Sequence, residues 1–520
     1  MPIDASKVES PGWWLQRLGK RLLDERADSF VDGERIVGLD TLQAYAEGRP
    51  PLPYVPGVDP REVKEWMHDA RTNWVSLVID SPTERMGVDG FRFGTSKAKD
   101  SEEAPDPEDD TDVKPAKSSK AADEEANRIW QENSMDSDSD LVHYGAMSQR
   151  RAFVLVEKGD DGRPVLTHET PRQMIVEHAQ GNRRKLAAGL KLWRDDWTGQ
   201  TRATLWLPDR IYDFTTKSTN PVFGTRAASL KQWDAVVLPN ASDGYRVNEL
   251  GQVPIVPFVN RRNRRPEGFA EHEDVLAIQN RINVSLINLI AAMKYGAFRQ
   301  RWAAGLEVDE DPITGEKIQP FQLDIRKLWT TDDHETKFGE FAATDLKPYI
   351  AAVESAVQDL AAISRTPPHY LLGQVVNVSG DALKAAETGL VSKVRDRQRA
   401  FGESWENVMR LAFKVLGDET KATAWDAETV WRDPESRSIS ELADAAVKKK
   451  AADVPWRQRM EDMGYTPSQI DRMEVDRAAD ALNAQAAAEA ASPPPVPPGA
   501  APDARPVIGR GKAPDVALAA

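Results

Sequence analysis

The chain has 520 residues, 40% of them hydrophobic, and carries a formal net charge of -15. That length accommodates two to four domains with real cores, while the acidic balance argues against a tight grip on nucleic acid, where neutralisation by Lys and Arg dominates affinity. The absence of cysteine excludes disulfides, thiolate catalysis and Cys-based metal sites.

The N-terminus lacks the basic and apolar regions of a signal peptide. The apolar run around 284–293 is interrupted by Ser285 and Asn288 and is too short to span a bilayer. A soluble protein made in a cytoplasm is therefore expected, with no membrane partner. Residues 11–50 read as helical, with Trp13, Trp14, Leu18, Leu22 and Leu23 on one side. A proline-rich connector covers 50–60. Residues 63–79 form one helix candidate, and 82–93 a turn and a short strand. The stretch 95–125 is rich in Asp, Glu, Lys, Ser and Ala, with almost no large apolar residue, which is the composition of a disordered insertion. A helix is expected through 141–147.

From 151 to 259 the pattern is β-rich, with a turn at Asp160-Asp161-Gly162 and an aromatic core of Trp193, Trp197, Trp206 and Trp233. The prolines in 253–259 suggest an edge or exit strand. After the arginine-rich turn 261–265, a long helix runs over 272–299. Its residues Val275, Ile278, Ile282, Leu286, Leu289 and Met293 recur at three- and four-residue steps, as in a packing seam. Residues 300–344 are irregular. A helix over 345–363 carries Ile350, Val353 and Val357 and stops before Pro367 and Pro368. An unhelical loop with His369, Tyr370, Gln374 and Asn377 follows. A second helix, capped by Ser379 and closed by Gly417, spans about 37 residues, or about 55 Å at the helical rise. Its stripe is Leu383, Leu390, Val394, Phe401, Trp405, Val408 and Val415. Residues 422–434 read as a connector, 440–450 and 467–490 as Ala-rich helices, and 491–520 as a disordered tail.

Few residues stand in patterns that carry chemistry. No phosphate loop GxxxxGK[ST] or strand-linked GxGxxG occurs, and the seven histidines (68, 143, 168, 178, 272, 334, 369) are scattered. Asp136, Asp138 and Asp140 imitate the first ligands of a calcium loop, but Leu141 and Met147 stand where its glycine and glutamate belong. They read as a solvated acidic turn. His168, Glu169 and His178 read as surface or strand-end residues rather than an acid–base set. The 261–265 arginines read as a solvated turn pairing with acidic residues of a neighbour, with a phosphate contact as the alternative. Catalytic residues, cofactors and metals are expected to be none.

Several strings, in order, carry a resemblance: IWQENSMD at 129–136, ATLWLPD at 203–209, VPIVPF at 253–258, SGDALKAAE at 379–387 and QRAFGESW at 398–405. With the succession of helix, irregular module, helix, loop and very long helix, the chain resembles the portal proteins (head–tail connectors) of tailed double-stranded DNA bacteriophages. The resemblance is to the siphovirus type common in actinobacterial phages and covers roughly 10–420. The resemblance implies a predominantly helical α+β portal fold in a ring, normally dodecameric, around a DNA translocation channel. It implies a wing over 1–262, stem helices over 272–299 and 345–363, a clip over 300–344, a tunnel loop over 364–378, a long wing-to-crown helix over 379–417 and a crown-like region over 418–490. In that scheme His369, Tyr370, Gln374 and Asn377 face DNA in the channel, while Ile278, Ile282, Leu286, Leu289, Ile350, Val353 and Val357 pack the stem. The implied partners are further copies of the chain, the terminase large subunit, the head–tail adaptor, major capsid and scaffolding proteins, and duplex DNA passing non-specifically. The implied location is the virion's portal vertex, after assembly in the host cytoplasm. A minor head protein without a channel, and a metal-dependent nuclease using Asp136, Asp138 and Asp140, are the competing readings.

Overall fold

The structure is a computed structural model. It describes residues 5–31, 33–51, 60–93, 123–217, 219, 233–236, 244–297, 301–305, 312, 335–340, 345–373, 380–435 and 437–491. The chain divides into two units, 1–467 and 468–520.

Helix α1 (Pro11–Arg26) starts where Ser10 accepts a hydrogen bond from the Trp13 amide at 3.3 Å. A hairpin of β1 (Ser29–Val31) and β2 (Glu34–Ile36) then interrupts what reads as continuous helix, before α2 (Leu39–Ala46). Gly38 closes the hairpin onto the end of α1. A Cβ there would lie 2.4 Å from the Arg26 carbonyl, and its amide donates to Asp28 at 2.7 Å.

The single helix expected over 63–79 is two, α3 (Pro60–Asp69) and α4 (Trp74–Thr83). Neither Gly nor Pro breaks them. The backbone groups freed at the break are satisfied from a distant helix, α7 below: Gln279 donates to the Thr72 carbonyl at 2.9 Å, and Asn283 accepts from the Thr72 amide at 3.2 Å. Strand β3 (Val88–Arg92) follows. The insertion expected over 95–125 lies outside the described residues as far as 122. From Asp123, which caps α5 (Glu124–Glu132) through the Ala126 amide at 2.9 Å, the chain is helical. Helix α6 (Met135–Ser148) begins earlier than expected.

Strands β4 (Arg151–Lys158) and β5 (Pro164–Glu169) form a hairpin. Strands β6 (Met174–Ala179), β7 (Asn182–Arg194), β8 (Thr201–Trp206), β9 (Arg210–Thr216), β10 (Trp233–Ala235) and β11 (Arg246–Val247) build a second sheet in the order β10-β9-β8-β7-β6, with β11 also on β9. Strand β12 (Ile255–Val259) joins the first sheet beside β4, giving β12-β4-β5, so the proline-bearing strand is an edge. The face of α1 that carries Trp14, Leu15, Leu18 and Leu22 packs on the second sheet at Leu190, Leu205 and Phe214. Trp206 and Trp233 are buried, but Trp197, expected in this core, is fully exposed in the turn between β7 and β8.

Next come α7 (Leu276–Ala297), the antiparallel pair β13 (Arg301–Ala304) and β14 (Lys337–Glu340), α8 (Lys347–Ser364), α9 (Pro368–Leu372) and α10 (Gly380–Leu416). Most of 300–344 lies outside the described residues. Helix α11 (Glu419–Ala422) and strand β15 (Glu428–Trp431) occupy the stretch read as a connector; β15 pairs antiparallel with β3, more than 300 positions earlier. Then follow α12 (Ile439–Ala451) and α13 (Trp456–Asp462). Residues 468–491 belong to the second unit and continue α14 (Pro467–Ala491), whose residues 471–487 are nearly all exposed.

The largest core gathers around α10. Leu390, Val394, Phe401, Trp405 and Val408 are fully buried against α5, α6, β3, β4 and β12. Trp405 packs edge-on against Trp130 and Phe258, at centroid separations of 4.9 and 4.6 Å. Its indole donates to His143 Nε2 at 2.9 Å. That bond leaves the proton on Nδ1, and burial pushes the His143 pKa down to about 3, so the ring is a neutral core acceptor.

Candidate functional site

The end of α8 lies beside the start of α7, so the two helices form an antiparallel hairpin. They share a core of Leu276, Ile282, Ala356, Val357, Leu360 and Ala361, against which Ile278, Leu286 and Val353 are partly buried. Leu289 is half-buried. Ile350 is 47% exposed, and Met293 and Ile363 are more than half exposed. The hairpin thus buries one face and leaves apolar side chains outside it. By length and composition alone, residues 273–294 are apolar enough to cross a membrane. Gln279 and Asn283, however, are buried in bonds to the α3–α4 break, and Tyr45 donates to Asn280 at 2.9 Å, which sets this helix against protein.

Helix α8 ends at Arg365, whose left-handed conformation (φ 56°) lets its amide bond back to Ala361 and Ala362. Pro367 and Pro368 prevent continuation, but Pro368 suits the first turn of a new helix. The stretch expected to be unhelical therefore holds α9, with Leu371 buried in the α7–α8 core and Gly373 (φ 62°) ending it. His369 and Tyr370 lie on α9. Gln374 and Asn377 lie outside the described residues, in the span 374–379 that leads into α10.

Two polar clusters hold the ends of that span. At one, Arg85 donates to the Tyr370 hydroxyl at 2.6 Å, and that hydroxyl donates to Glu387 at 2.9 Å. Arg85 also pairs with Glu387 at 3.2 Å and donates to the Pro434 carbonyl at 2.9 Å. Burial, then the bond to Glu387, raises the Tyr370 pKa, keeping the hydroxyl a donor. At the other, Lys393 and Arg397 from α10 reach Glu271 at 3.0 and 2.7 Å, and Lys393 also donates to the Ser364 carbonyl at 3.1 Å. Asn260 donates to Glu271 at 3.0 Å. Glu271 is 2% and Lys393 5% exposed. Burial alone would raise the Glu271 pKa, but Lys393 and Arg397 outweigh it and hold the carboxyl well below the usual carboxylate range. One buried carboxylate thus joins the approach to α7, the end of α8 and the middle of α10.

Arg85, Glu271, Lys393 and Arg397 stand in no motif of the sequence, and Glu387 only closes the string at 379–387. The available signal was positional. Lys393 and Arg397 fall at the 390, 394, 401 spacing of the buried stripe, where a cation requires a buried partner.

Asp136, Asp138 and Asp140 sit in α6, where Asp136 accepts from Trp130 at 2.8 Å and Gln131 at 2.9 Å. Among the described residues, no group of three or more His, Asp or Glu is placed to hold a metal ion. Glu169 is buried against Lys191, His168 lies over Gly145 of α6, and His178 belongs to the other sheet. In the basic turn, Arg261, Arg264 and Arg265 all stack on Phe269 within about 5 Å of its ring. They pair with Asp274 and Glu273 of their own chain rather than of a neighbour.

The segments that flank 374–379 are thus tied together by two polar clusters, beside a helix hairpin that leaves apolar side chains exposed. Residues 63–458 match the family model described as phage portal protein, SPP1 Gp6-like. The portal protein of Mycobacterium phage D29 is 26% identical over 469 residues, covering 86% of this chain and 87% of the relative. That of Mycobacterium phage L5 is 26% identical over 472 residues, covering 86% of each. The chain belongs to the SPP1 Gp6-like phage portal protein family, a structural and non-enzymatic class of phage head component.

Proposed function

We propose that the chain forms the portal vertex of a tailed phage capsid, as a ring of twelve copies around a channel through which the genome is packaged and later ejected. In this reading α7 and α8 are the stem, and residues 300–344 are the clip that docks the terminase large subunit and then the head–tail adaptor. Residues 1–262 form the wing, beside major capsid and scaffolding proteins, and 418–490 the crown. Assembly takes place in the host cytoplasm and the ring resides in the virion. The span with Gln374 and Asn377 faces DNA; His369 and Tyr370 form its root, with the Tyr370 hydroxyl as an anchor.

The observation that carries this reading is the family match combined with the two-ended clamping of 374–379. A loop that touches moving DNA needs a fixed root and few cations, since strong phosphate contacts act as brakes. Heterologous ring contacts also need an exposed apolar face on each copy, and Ile350 and Met293 supply one.

Native mass spectrometry with negative-stain imaging tests the ring. Particles of about twelve chain masses with annular end views are expected of a closed cyclic assembly. Monomers in solution together with no ring at the virion vertex would overturn it. Deleting 374–377 should leave the ring intact and impair packaging or retention of DNA; normal genomes in that variant would remove the tunnel-loop assignment.

A further inference from the structure

The sheet that carries α1 ends in a hairpin rich in cations. Strands β6 and β7 pair with His178 opposite Leu186 and Ala179 opposite Asn182, and Gly181 turns at φ 73°. Beyond the turn stand Arg183, Arg184 and Lys185, all exposed. The pairing passes from Ala179–Asn182 straight to His178–Leu186, so the three cations occupy a bulge at the end of the ribbon. Arg262, in the basic turn, is also exposed. The positive charges of Arg262, Arg183 and Arg21 all bear on His178 and, after burial, help to lower its pKa. Glu177, beside His178, is already engaged by Arg17 and Arg21 of α1. Arg183, Arg184, Lys185 and Arg262 form no ion pair among the described residues.

We propose that this patch, on the sheet rather than at the 374–379 span, is a contact for the phosphate backbone of duplex nucleic acid. The other residues of the hairpin tip are Ala179, Gln180, Gly181 and Asn182, so it holds no aromatic side chain and no aliphatic one larger than alanine. Protein–protein interfaces centre on desolvated apolar or aromatic anchors and disfavour lysine. Backbone contacts to nucleic acid need only cations and polar donors, and read no sequence. The acidic balance of the whole chain does not oppose this. Screening confines each charge to about 8 Å at physiological ionic strength, so local sign decides.

The test is fluorescence anisotropy of a short labelled duplex with the full-length protein across a salt series. Wild type should bind at low salt, with log affinity falling against log salt at a slope of about −3, near −0.9 for each phosphate neutralised. Replacing Arg183, Arg184, Lys185 and Arg262 with Ala should weaken binding at least about tenfold, equally for all sequences, and flatten the slope. The melting temperature should not change, because these side chains are exposed. Lysine at the three arginine positions should restore binding, since a point charge suffices. The 374–377 deletion should bind like wild type, which separates this contact from the channel reading. Failure of the wild type to bind duplex, or unchanged affinity and slope in the Ala variant, overturns the proposal. Loss of binding to an acidic polypeptide, without any duplex binding, would assign the patch to a protein partner instead.

Discussion

Helix α10 and the α7–α8 hairpin are both long and both striped with apolar residues, yet they end in different environments. From Leu390 to Phe413, α10 is enclosed by strands and helices drawn from both ends of the chain, and its stripe is fully buried. The hairpin covers the faces that meet its own helices and α2, α3, α4 and α9, and leaves Ile350, Met293 and Ile363 largely in solvent. Periodicity reports that a helix has an apolar face, not how much of it the same chain will cover. The first helix stabilises the subunit; under the portal reading, the second is completed by a neighbour.

Four substitutions probe this contrast. Trp405→Ala should cost about 4 kcal/mol in chemical denaturation, by emptying a core site and leaving His143 without its donor. A loss below about 1 kcal/mol would mean that α10 is not the centre of subunit stability. Glu271→Gln should cost about 3 kcal/mol, because it strands Lys393 in a buried site. The same carboxylate gives a pH signature. Its folded pKa lies below the unfolded value near 4.5, so its contribution is present above that pH and lost on acidification. The gap in melting temperature between wild type and Glu271→Gln should be constant above about pH 5 and narrow below it, without closing by about pH 3.

Glu406, half-buried on α10, has the opposite sign. Burial and the neighbouring Glu403 raise its pKa to about 7. Its contribution is present below about pH 4.5 and lost as pH rises through 7, so Glu406→Gln should melt higher than wild type at pH 8 and alike at pH 4. A uniform shift at both pH values would assign the effect to packing. Ile350→Ser should change the stability of the isolated subunit least, by less than about 0.5 kcal/mol. It should nonetheless reduce the yield of rings in native mass spectra; unchanged assembly would show that this exposed face is not a subunit contact.

Much of the helical architecture was legible in the sequence. The bounds of α8, α10 and α12 follow from periodicity, from Pro367 and Pro368, and from Gly417. The strands from 151 to 259 follow from alternation and turn residues. The hairpin at 29–36, the α3–α4 break and β15 were not legible. The break and β15 are each stabilised by a distant group, Gln279 and Asn283 at Thr72 and β3 alongside β15, while the hairpin rests on the close approach of Gly38 to the end of α1. Trp197 shows the reverse error, an aromatic residue assigned to a core because of its type while its turn holds it in solvent.

The candidate site divides in the same way. By itself the sequence determined that two helices meet at a proline-bound junction with Tyr370, because proline geometry and apolar spacing act over a few residues. Only the tertiary structure decided that Tyr370 is held by Arg85 and Glu387, and that Glu271 gathers Lys393 and Arg397. A charge enters a low-dielectric interior only with its partners in place, and those partners come from segments that folding, not sequence order, brings together.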